Sequence, residues 1–550
     1  MQLQPLAKLA ADYVNSTNRH IFLTGKAGTG KTTFLRYISQ HTFKRTVVAA
    51  PTGIAAINAG GVTLHSLLHL PFGAFIPERL AFHNETTRVT TPDTLLRNSK
   101  FNASKRNLIR EMELLIIDEV SMLRADLLDC IDHMLQYLRR NRSPFGGVQI
   151  LFIGDLLQLP PVIKDEEKSL LQHYYTSFYF FESRALKKHP PIHVELQKIF
   201  RQQDQEFIDL LNRLRTDSPT IEDLNFLNRF YDPEVSQSDE TGYIHLTTHN
   251  YKADQLNKQK LNLLEGEILT FSAQIDGTFP DSMFPTSPEL HLKTGAQVMF
   301  IKNDPSGEGR FFNGKIGLVR IAEGKVFVKF EDGDEVEVSP YKWENIRYVL
   351  NEESNEIEER YVGGFEQYPI KLAWAVTVHK SQGLTFEKAI LDLSGTFAPG
   401  QLYVALSRLT SLKGLSLSSP LPEKTPAIDV ALGEFNALKV SESSLKEGLV
   451  AERKVFLADL GKVVFDFTSL IFILRNHQQG FSEKESRSIK KQNEAWTNAL
   501  VEETAPLQTV GAGFIREVNR ILQEEDYLNH FSERLSKAES YFTDQLTPLA

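Results

Sequence analysis

A glycine-rich loop, Gly25-Lys26-Ala27-Gly28-Thr29-Gly30-Lys31-Thr32, follows the apolar run Ile21-Phe22-Leu23 and leads into a helix-like stretch from Thr33 to Ser39. Glycines at 25, 28 and 30 permit a backbone turn tight enough for successive N–H groups to surround a phosphate. The helix that starts there adds the positive end of its dipole. Lys31 is spaced to reach β- and γ-phosphates and the Thr32 hydroxyl to hold Mg²⁺, with Thr29 and Thr33 beside them. A nucleoside triphosphate with Mg²⁺ is therefore the expected ligand.

Binding alone does not hydrolyse. The β-branched run Leu114-Leu-Ile-Ile ends in Asp118-Glu119, two carboxylates at the strand end where ligands collect in a parallel sheet. Asp118 is placed to hold Mg²⁺ and Glu119 to orient and deprotonate the attacking water. A third apolar run, Val148 to Ile153, ends in Gly154-Asp155-Leu-Leu-Gln158. An amide beside a γ-phosphate bonds either to it or to the attacking water, so Gln158 can report its presence. The chain carries no Asn-Lys-x-Asp base reader of the GTPase kind.

These segments need a scaffold of several elements. With 550 residues, 41% hydrophobic and 24% charged, the chain is too long for one core and is expected to fold throughout, in three to five units. Cys130 stands alone, so no internal disulfide forms, and no export signal is visible; a reducing, cytoplasmic setting is expected. The longest nearly apolar run, Phe467 to Leu474, is far short of the ~20 residues a bilayer requires, so no membrane partner is expected. A net charge of −9 argues against a uniformly basic coat on nucleic acid, yet suits a motor whose positive charge lines one groove.

Gly154-Asp155-x-x-Gln158-Leu-Pro-Pro resembles the third motif of superfamily-one helicases, and the others follow in order. Ala50-Pro-Thr52-Gly53 and Thr63-Leu-His65-Ser66 resemble segments that line the single-strand channel. Phe200-Arg201-Gln202 resembles the motif with a phosphate-sensing arginine. Trp374 to Glu387, containing His379-Lys380-Ser381-Gln382-Gly383, resembles the fifth motif, and Gln401-Leu-Tyr403-Val-Ala405-Leu-Ser407-Arg408 the sixth. Arg139-Arg-Asn-Arg-Ser-Pro144-Phe145-Gly146-Gly147 and Phe312-Asn313-Gly314-Lys-Ile-Gly317 are similar to Pif-type helicases, a 5′-to-3′ branch related to RecD. The resemblance runs over about residues 1–420, and nothing after about 425 carries it.

It implies an α/β fold of two RecA-like P-loop motor domains, residues 1–195 and 196–425. A wedge insert is implied at about 71–107 and a small β-barrel insert at about 303–367; beyond the resemblance, the residue pattern leads us to expect a helical accessory domain at 426–550. It implies ATP as the nucleotide, Gln4 as an adenine contact, and Arg201 and Arg408 reaching across the cleft to the γ-phosphate. Thr52, Thr63 and His65, with Lys380 and Ser381 opposite, would grip single-stranded DNA, and Lys380 to Gln382 would lie between strand and nucleotide. The implied activity is an ATP-dependent DNA helicase moving 5′-to-3′ on single-stranded DNA and on DNA with single-stranded tails. A translocase that never separates strands would lack a rigid wedge after Pro71. A nucleotide-switched binding protein would not need Lys31, Asp118, Glu119, Gln158 and Arg408 together.

The residues also predict elements directly. Lys315–Arg320, Lys325–Phe330 and Glu335–Val338 are short β-rich pieces with Glu323-Gly and Asp332-Gly between them, a run of hairpins. Leu460, Val463, Val464, Phe467, Ile471 and Leu474 predict one buried face on a single helix from Ser444 to Arg475. Phe514, Ile521, Tyr527, Leu528 and Phe531 predict a further helical stretch packed against it.

Overall fold

The computed structural model describes residues 3–78, 89–198, 204–216, 219–234, 242–306, 308–351, 353–392, 400–421, 429–481 and 489–549. The chain separates into two compact units, residues 1–11 with 19–440, and residues 12–18 with 441–550.

The first unit begins with six parallel strands: β1 (Ile21–Gly25), β2 (Thr46–Ala50), β3 (Val62–Thr63), β4 (Leu114–Ile117), β5 (Gln149–Ile153) and β6 (Ile192–Leu196). Their order is β3-β2-β4-β5-β1-β6. Leu151 of β5 stands opposite Ile21 of β1 on one side and Ile116 of β4 on the other. The strand that ends at Gly154 therefore lies between the phosphate-loop strand and the acid-pair strand, and all three loops open at one carboxyl edge. β1, β4 and β5 are buried along their whole length, which is why they read as continuous apolar runs without alternation. Helix Ala125–Arg139 buries Leu128, Ile131, Leu135 and Leu138 at three- and four-residue spacing.

The segment Arg139 to Gly147 is a structural staple. The Arg139 guanidinium donates to the carbonyls of Gly146 at 2.7 Å, Ile109 at 2.8 Å and Met112 at 2.7 Å, while the Phe145 N–H donates to Asp132 Oδ1 at 2.6 Å.

A second parallel sheet has the order Ala375–Thr377, Ile244–Thr247, Ala389–Leu391, Leu415–Leu417. Between its strands the chain builds antiparallel sheets. The expected hairpins appear as Ile316–Ala322, Lys325–Lys329 and Glu335–Val338, with Glu323 and Gly324 at positive φ of 53° and 75° in the first turn. The β-rich stretch is wider than 303–367: it opens at Leu269–Ser272 and closes at Ile370–Leu372. Gln297–Phe300 belongs to it but is buried at every position, so its sequence lacks the alternation that marks a strand. Around the expected wedge, Ala74–Phe75 pairs with Val89–Thr90, and residues 79–88 lie outside the described ones.

In the second unit the main helices are Glu442–Phe465, Thr468–Gln479, Glu494–Ile521 and Tyr527–Leu546. The single helix expected from Ser444 to Arg475 is two, because Asp466 Oδ1 accepts the Thr468 N–H at 2.9 Å and restarts the helix there. The break also moves the buried face: Leu460, Val463 and Val464 are exposed, and the buried residues are Leu445, Leu449, Phe465 and Ile471. Phe465 packs with Phe514, Val518, Ile521, Tyr527 and Phe542, so the later helices do meet the end of the first. Leu528 points outward. Among the described residues no helix is long and apolar enough to cross a membrane.

Candidate nucleotide site and strand cavity

Gly30, at φ 90°, turns the loop into helix Lys31–His41, whose first N–H groups receive no side-chain cap. An uncapped helix start is an anion site in waiting. Lys31 Nζ donates to the carbonyls of Gly25 at 2.6 Å and Lys26 at 3.0 Å. Burial lowers its pKa against the pull of Asp155, Glu119 and Asp118, so its charge gains most from a phosphate. Thr29 is buried and donates to the Lys26 carbonyl, and Thr32 is exposed on the first turn with Thr33 half-buried beside it.

Across β5, burial and the neighbouring Glu119 push Asp118 up to about 7, and burial raises Glu119. Glu119 also holds a left-handed backbone at φ 51°, a strain that non-glycine residues keep mostly at functional sites. An acid pair whose charge is disfavoured by its surroundings is one that a cation, with Thr32 as a further oxygen, would stabilise. Among the described residues no cluster of three or more His, Cys, Asp or Glu side chains forms a full metal set. Mg²⁺ takes one or two carboxylates and leaves the rest of its shell to phosphate and water.

The second sheet closes the cleft. Gln382 Nε2 donates to Glu119 Oε2 at 2.8 Å and to Gln158 Oε1 at 3.2 Å. Gln158 Nε2 in turn donates to Asp155 Oδ2 at 3.3 Å. Arg408 is buried, donates from Nε to the Val404 carbonyl at 3.1 Å, and lies close enough to Glu119 to pull its carboxyl down against burial. Arg201 falls within 199–203, outside the described residues. Gln4 stands just ahead of helix Pro5–Ser16, its carbonyl accepting the Lys8 N–H at 2.8 Å.

Sequence reasoning missed Arg215 and the site role of Tyr403. The Arg215 guanidinium is 2% exposed and donates to Asp155 Oδ1 from Nε at 3.3 Å and Nη2 at 3.2 Å, and to Glu195 Oε1 from Nη1 at 2.8 Å. Tyr403 donates to Asp155 Oδ2 at 3.2 Å and accepts the Ala27 N–H of the phosphate loop at 3.3 Å. A signal existed for Arg215: it follows Phe207 and Leu211 at four-residue steps on helix Gln205–Thr216, an arginine on an apolar stripe.

Beside the cleft lies a cavity of about 950 Å³ whose lining includes Ile54, Lys258, Trp343, Lys371, Lys380 and Gln382. Burial and the neighbouring Lys380 lower Lys371 to about 8. A second cavity, about 580 Å³, is lined by Thr52, His65, Phe72, Arg124 and Lys164. His65 stacks on Phe72 with centroids 5.1 Å apart. Thr52 and Thr63 also cap helices, accepting the N–H groups of Ala55 at 3.3 Å and Ser66 at 3.1 Å. The Ser381 side chain is wholly buried and donates to the Val378 carbonyl at 2.7 Å. Lys371, Lys258 and Trp343 carried no signal, since they come from separate strands and a helix that only the fold brings together.

A parallel sheet that sets its third strand between phosphate loop and acid pair, faced across one cleft by a second parallel sheet, is the architecture of tandem RecA-like nucleotide hydrolases. The comparisons narrow the class. A family model described as PIF1-like helicase matches residues 3–222, and one described as DNA helicase, middle domain, matches residues 448–550. The crystal structure of a Bacteroides sp. Pif1 in complex with ADP-AlF4 superposes with a TM-score of 0.71 at 41% identity, covering 80% of this chain and 97% of that one. The chain belongs to the Pif1-like helicase family. The Bacteroides Pif1 bound to ssDNA matches at 0.54 with the same identity and coverage. The ATP-dependent DNA helicase PIF1 of Danio rerio is 33% identical over 431 residues, 75% of this chain, and the chain spans 61% of that protein's length.

Proposed function

We propose that the chain is an ATP-driven DNA helicase that moves 5′-to-3′ on single-stranded DNA and separates duplexes ahead of it. The observation that carries this reading is the short segment from Lys380 to Gln382: Lys380 lines the large basic cavity while Gln382 touches Glu119 and Gln158. The contacts to a strand held in that cavity and to a nucleotide in the cleft would thus stand two residues apart in the chain. Related Pif1 structures carry ADP-AlF4 in one case and ssDNA in another, which supports both ligands here.

Lys31 and the uncapped helix start would hold the β- and γ-phosphates, with Thr32 and Asp118 on Mg²⁺ and Gln4 near the adenine. Mg²⁺ supplies charge neutralisation on the phosphate oxygens. Glu119 takes a proton from the attacking water, whose oxygen bonds to the γ-phosphorus as the bond to the bridging oxygen breaks, leaving ADP and phosphate. Arg408, with Arg201, offsets charge building on the γ-oxygens, so turnover requires both sheets to close. Closure and reopening then shift the grips of Thr52, Thr63 and His65 relative to Lys380 along the strand. Lys371 and Lys258 extend that grip by charge without reading bases. The Pro71–Asn107 insert serves as wedge and the antiparallel sheets between Leu269 and Leu372 as the small barrel. The 5′-to-3′ polarity rests on family resemblance.

Steady-state ATPase with and without single-stranded DNA, and unwinding of matched duplexes with a 5′ or a 3′ tail, test the reading. Stimulated hydrolysis and opening of the 5′-tailed duplex are expected. Stimulation without unwinding of either duplex would leave a translocase, and exclusive use of the 3′ tail would reverse the polarity.

A further inference from the structure

Gln158 has two chemically opposite ends, and which one faces the γ-phosphate decides what it does there. Its NH₂ lies 3.3 Å from Asp155 Oδ2. An ionised carboxylate only accepts, so an ionised Asp155 fixes the NH₂ toward itself and leaves Oε1 toward the cleft. There Oε1 shares one donor with Glu119: the Gln382 NH₂ reaches Glu119 Oε2 at 2.8 Å and Gln158 Oε1 at 3.2 Å. A water in place of that NH₂ would give one O–H to each acceptor and keep a lone pair for attack.

What keeps Asp155 ionised is the group that reaches it from the far side of the cleft. We propose that Arg215 is a positioning residue for ATP hydrolysis, which by holding Asp155 charged and fixed presents the Gln158 carbonyl oxygen to the attacking water. The inference rests on the ATPase reading above and deepens it. Asp155 is 1% exposed, so without a partner its charge would be costly. Burial pushes its carboxyl up, and Arg215 first, then Lys31, outweigh burial and hold it below the usual carboxylate range. Lys26 on the phosphate loop also faces it, Glu119 opposes it, and Tyr403 and Gln158 donate hydrogen bonds to it. With Arg215 gone, a protonated Asp155 becomes a donor. Gln158 can then turn its oxygen to Asp155 and its NH₂ to the cleft, where it no longer accepts from water. Arg215 touches neither water nor phosphate in this scheme; it acts through Asp155.

The test is Arg215→Gln and Arg215→Lys in the full chain, with ATPase in saturating single-stranded DNA measured from about pH 6 to 9. For Arg215→Gln, kcat relative to the wild type at the same pH is expected to fall about tenfold or more near pH 6.5 and to recover as pH rises and Asp155 ionises, a deficit added to any acid limb that Glu119 gives both proteins. KM for ATP and the strand dissociation constant should change by less than about threefold. Arg215→Lys, which keeps the charge, should restore part of kcat and move that recovery to lower pH. A deficit equal at every pH, or one confined to KM, overturns the proposal. If neither variant folds, Asp155→Asn decides: a low kcat without that recovery relative to the wild type supports it, and a normal kcat overturns it. A wild-type chain without ATPase would overturn the underlying reading and this inference together, whereas an active wild type with unaffected variants overturns the inference alone.

Discussion

Glu119 is strained, half-buried and bonded to Gln382 from across the cleft, so its proton affinity is raised by its surroundings there. Glu119→Gln keeps the shape and removes the base; ATP binding should survive while kcat drops about 10²- to 10⁴-fold. Nucleotide affinity measured alongside turnover checks this, and near-normal turnover would remove Glu119 from its role. Arg408→Ala should cost about 10³ in kcat with little loss of ATP affinity, because its partner is charge that exists only in the transition state. Equal losses in both would mark it as a ground-state contact. Lys371 gives a pH test. Lowered to about 8 in the free protein, it is charged below that pH and neutral above it. A nearby strand phosphate raises its pKa, so binding takes up a proton and affinity should decline several-fold from pH 7 to pH 9.5. Lys371→Met should flatten that slope; a slope that persists would place the titration elsewhere. At this scale Lys31, Asp118, Glu119 and Gln158 were legible because their chemistry is written in contiguous strand-loop segments. Arg215 and Lys371 were not, because their partners are remote in sequence, and the motif that places Ser381 fixes its position and not the rotamer that turns its hydroxyl to the Val378 carbonyl.

Helix Gln401–Leu406 meets the first sheet through Gly400, whose φ of 80° favours glycine and where an added Cβ would lie 2.1 Å from the Gln158 carbonyl oxygen. Gly400→Ala should therefore push this helix, and Arg408 just beyond its end, off the Gly154–Gln158 loop, lowering ATPase about tenfold or more and Tm by a few degrees. Gly433→Ala is the control. It sits exposed inside helix Val430–Ala437 with no atom within 4 Å of the added Cβ, and should be neutral or stabilising by up to about 1 kcal/mol. Wild-type ATPase in Gly400→Ala would show that the two elements need no such close approach. Elements with their own turn chemistry were readable: the hairpins around Glu323-Gly324 fall where the sequence put them. Those governed by context were not. The all-buried Gln297–Phe300 strand hides its period, and Asp466 splits a helix whose apolar pattern runs straight through the break.

Where the nucleotide-binding unit ends is a question for the whole molecule. The last recognisable nucleotide motif ends at Arg408, so a chain ending at 425 would contain every one of them, although a helicase middle-domain model also matches residues 448–550. The first compact unit nevertheless runs to Val440. Leu432 is 2% exposed within the core of the first sheet, Phe435 stacks on Phe181 with centroids 4.2 Å apart, Asp429 accepts from Ser177 and Lys439 pairs with Glu195 at 2.7 Å. Glu195 is also the second partner of Arg215, so residues 429–440 brace the β6 edge on which the Asp155 network rests. Burying Leu432 and Phe435 is worth about 3–5 kcal/mol by area, enough to matter to a fold of ordinary stability. A chain ending at Val440 should keep single-strand-stimulated ATPase within about threefold of the full chain, because every residue proposed above for nucleotide or strand precedes it. A chain ending at 425 should melt several degrees lower and lose ATPase in proportion to its unfolded fraction, with KM for ATP unchanged in what remains folded. Tm and stimulated ATPase on the two truncations check this directly. If both melt alike, residues 429–440 are ornamental to the motor; if the 440 chain is folded yet unstimulated, the helices after Ser441 belong to the strand-responsive machinery.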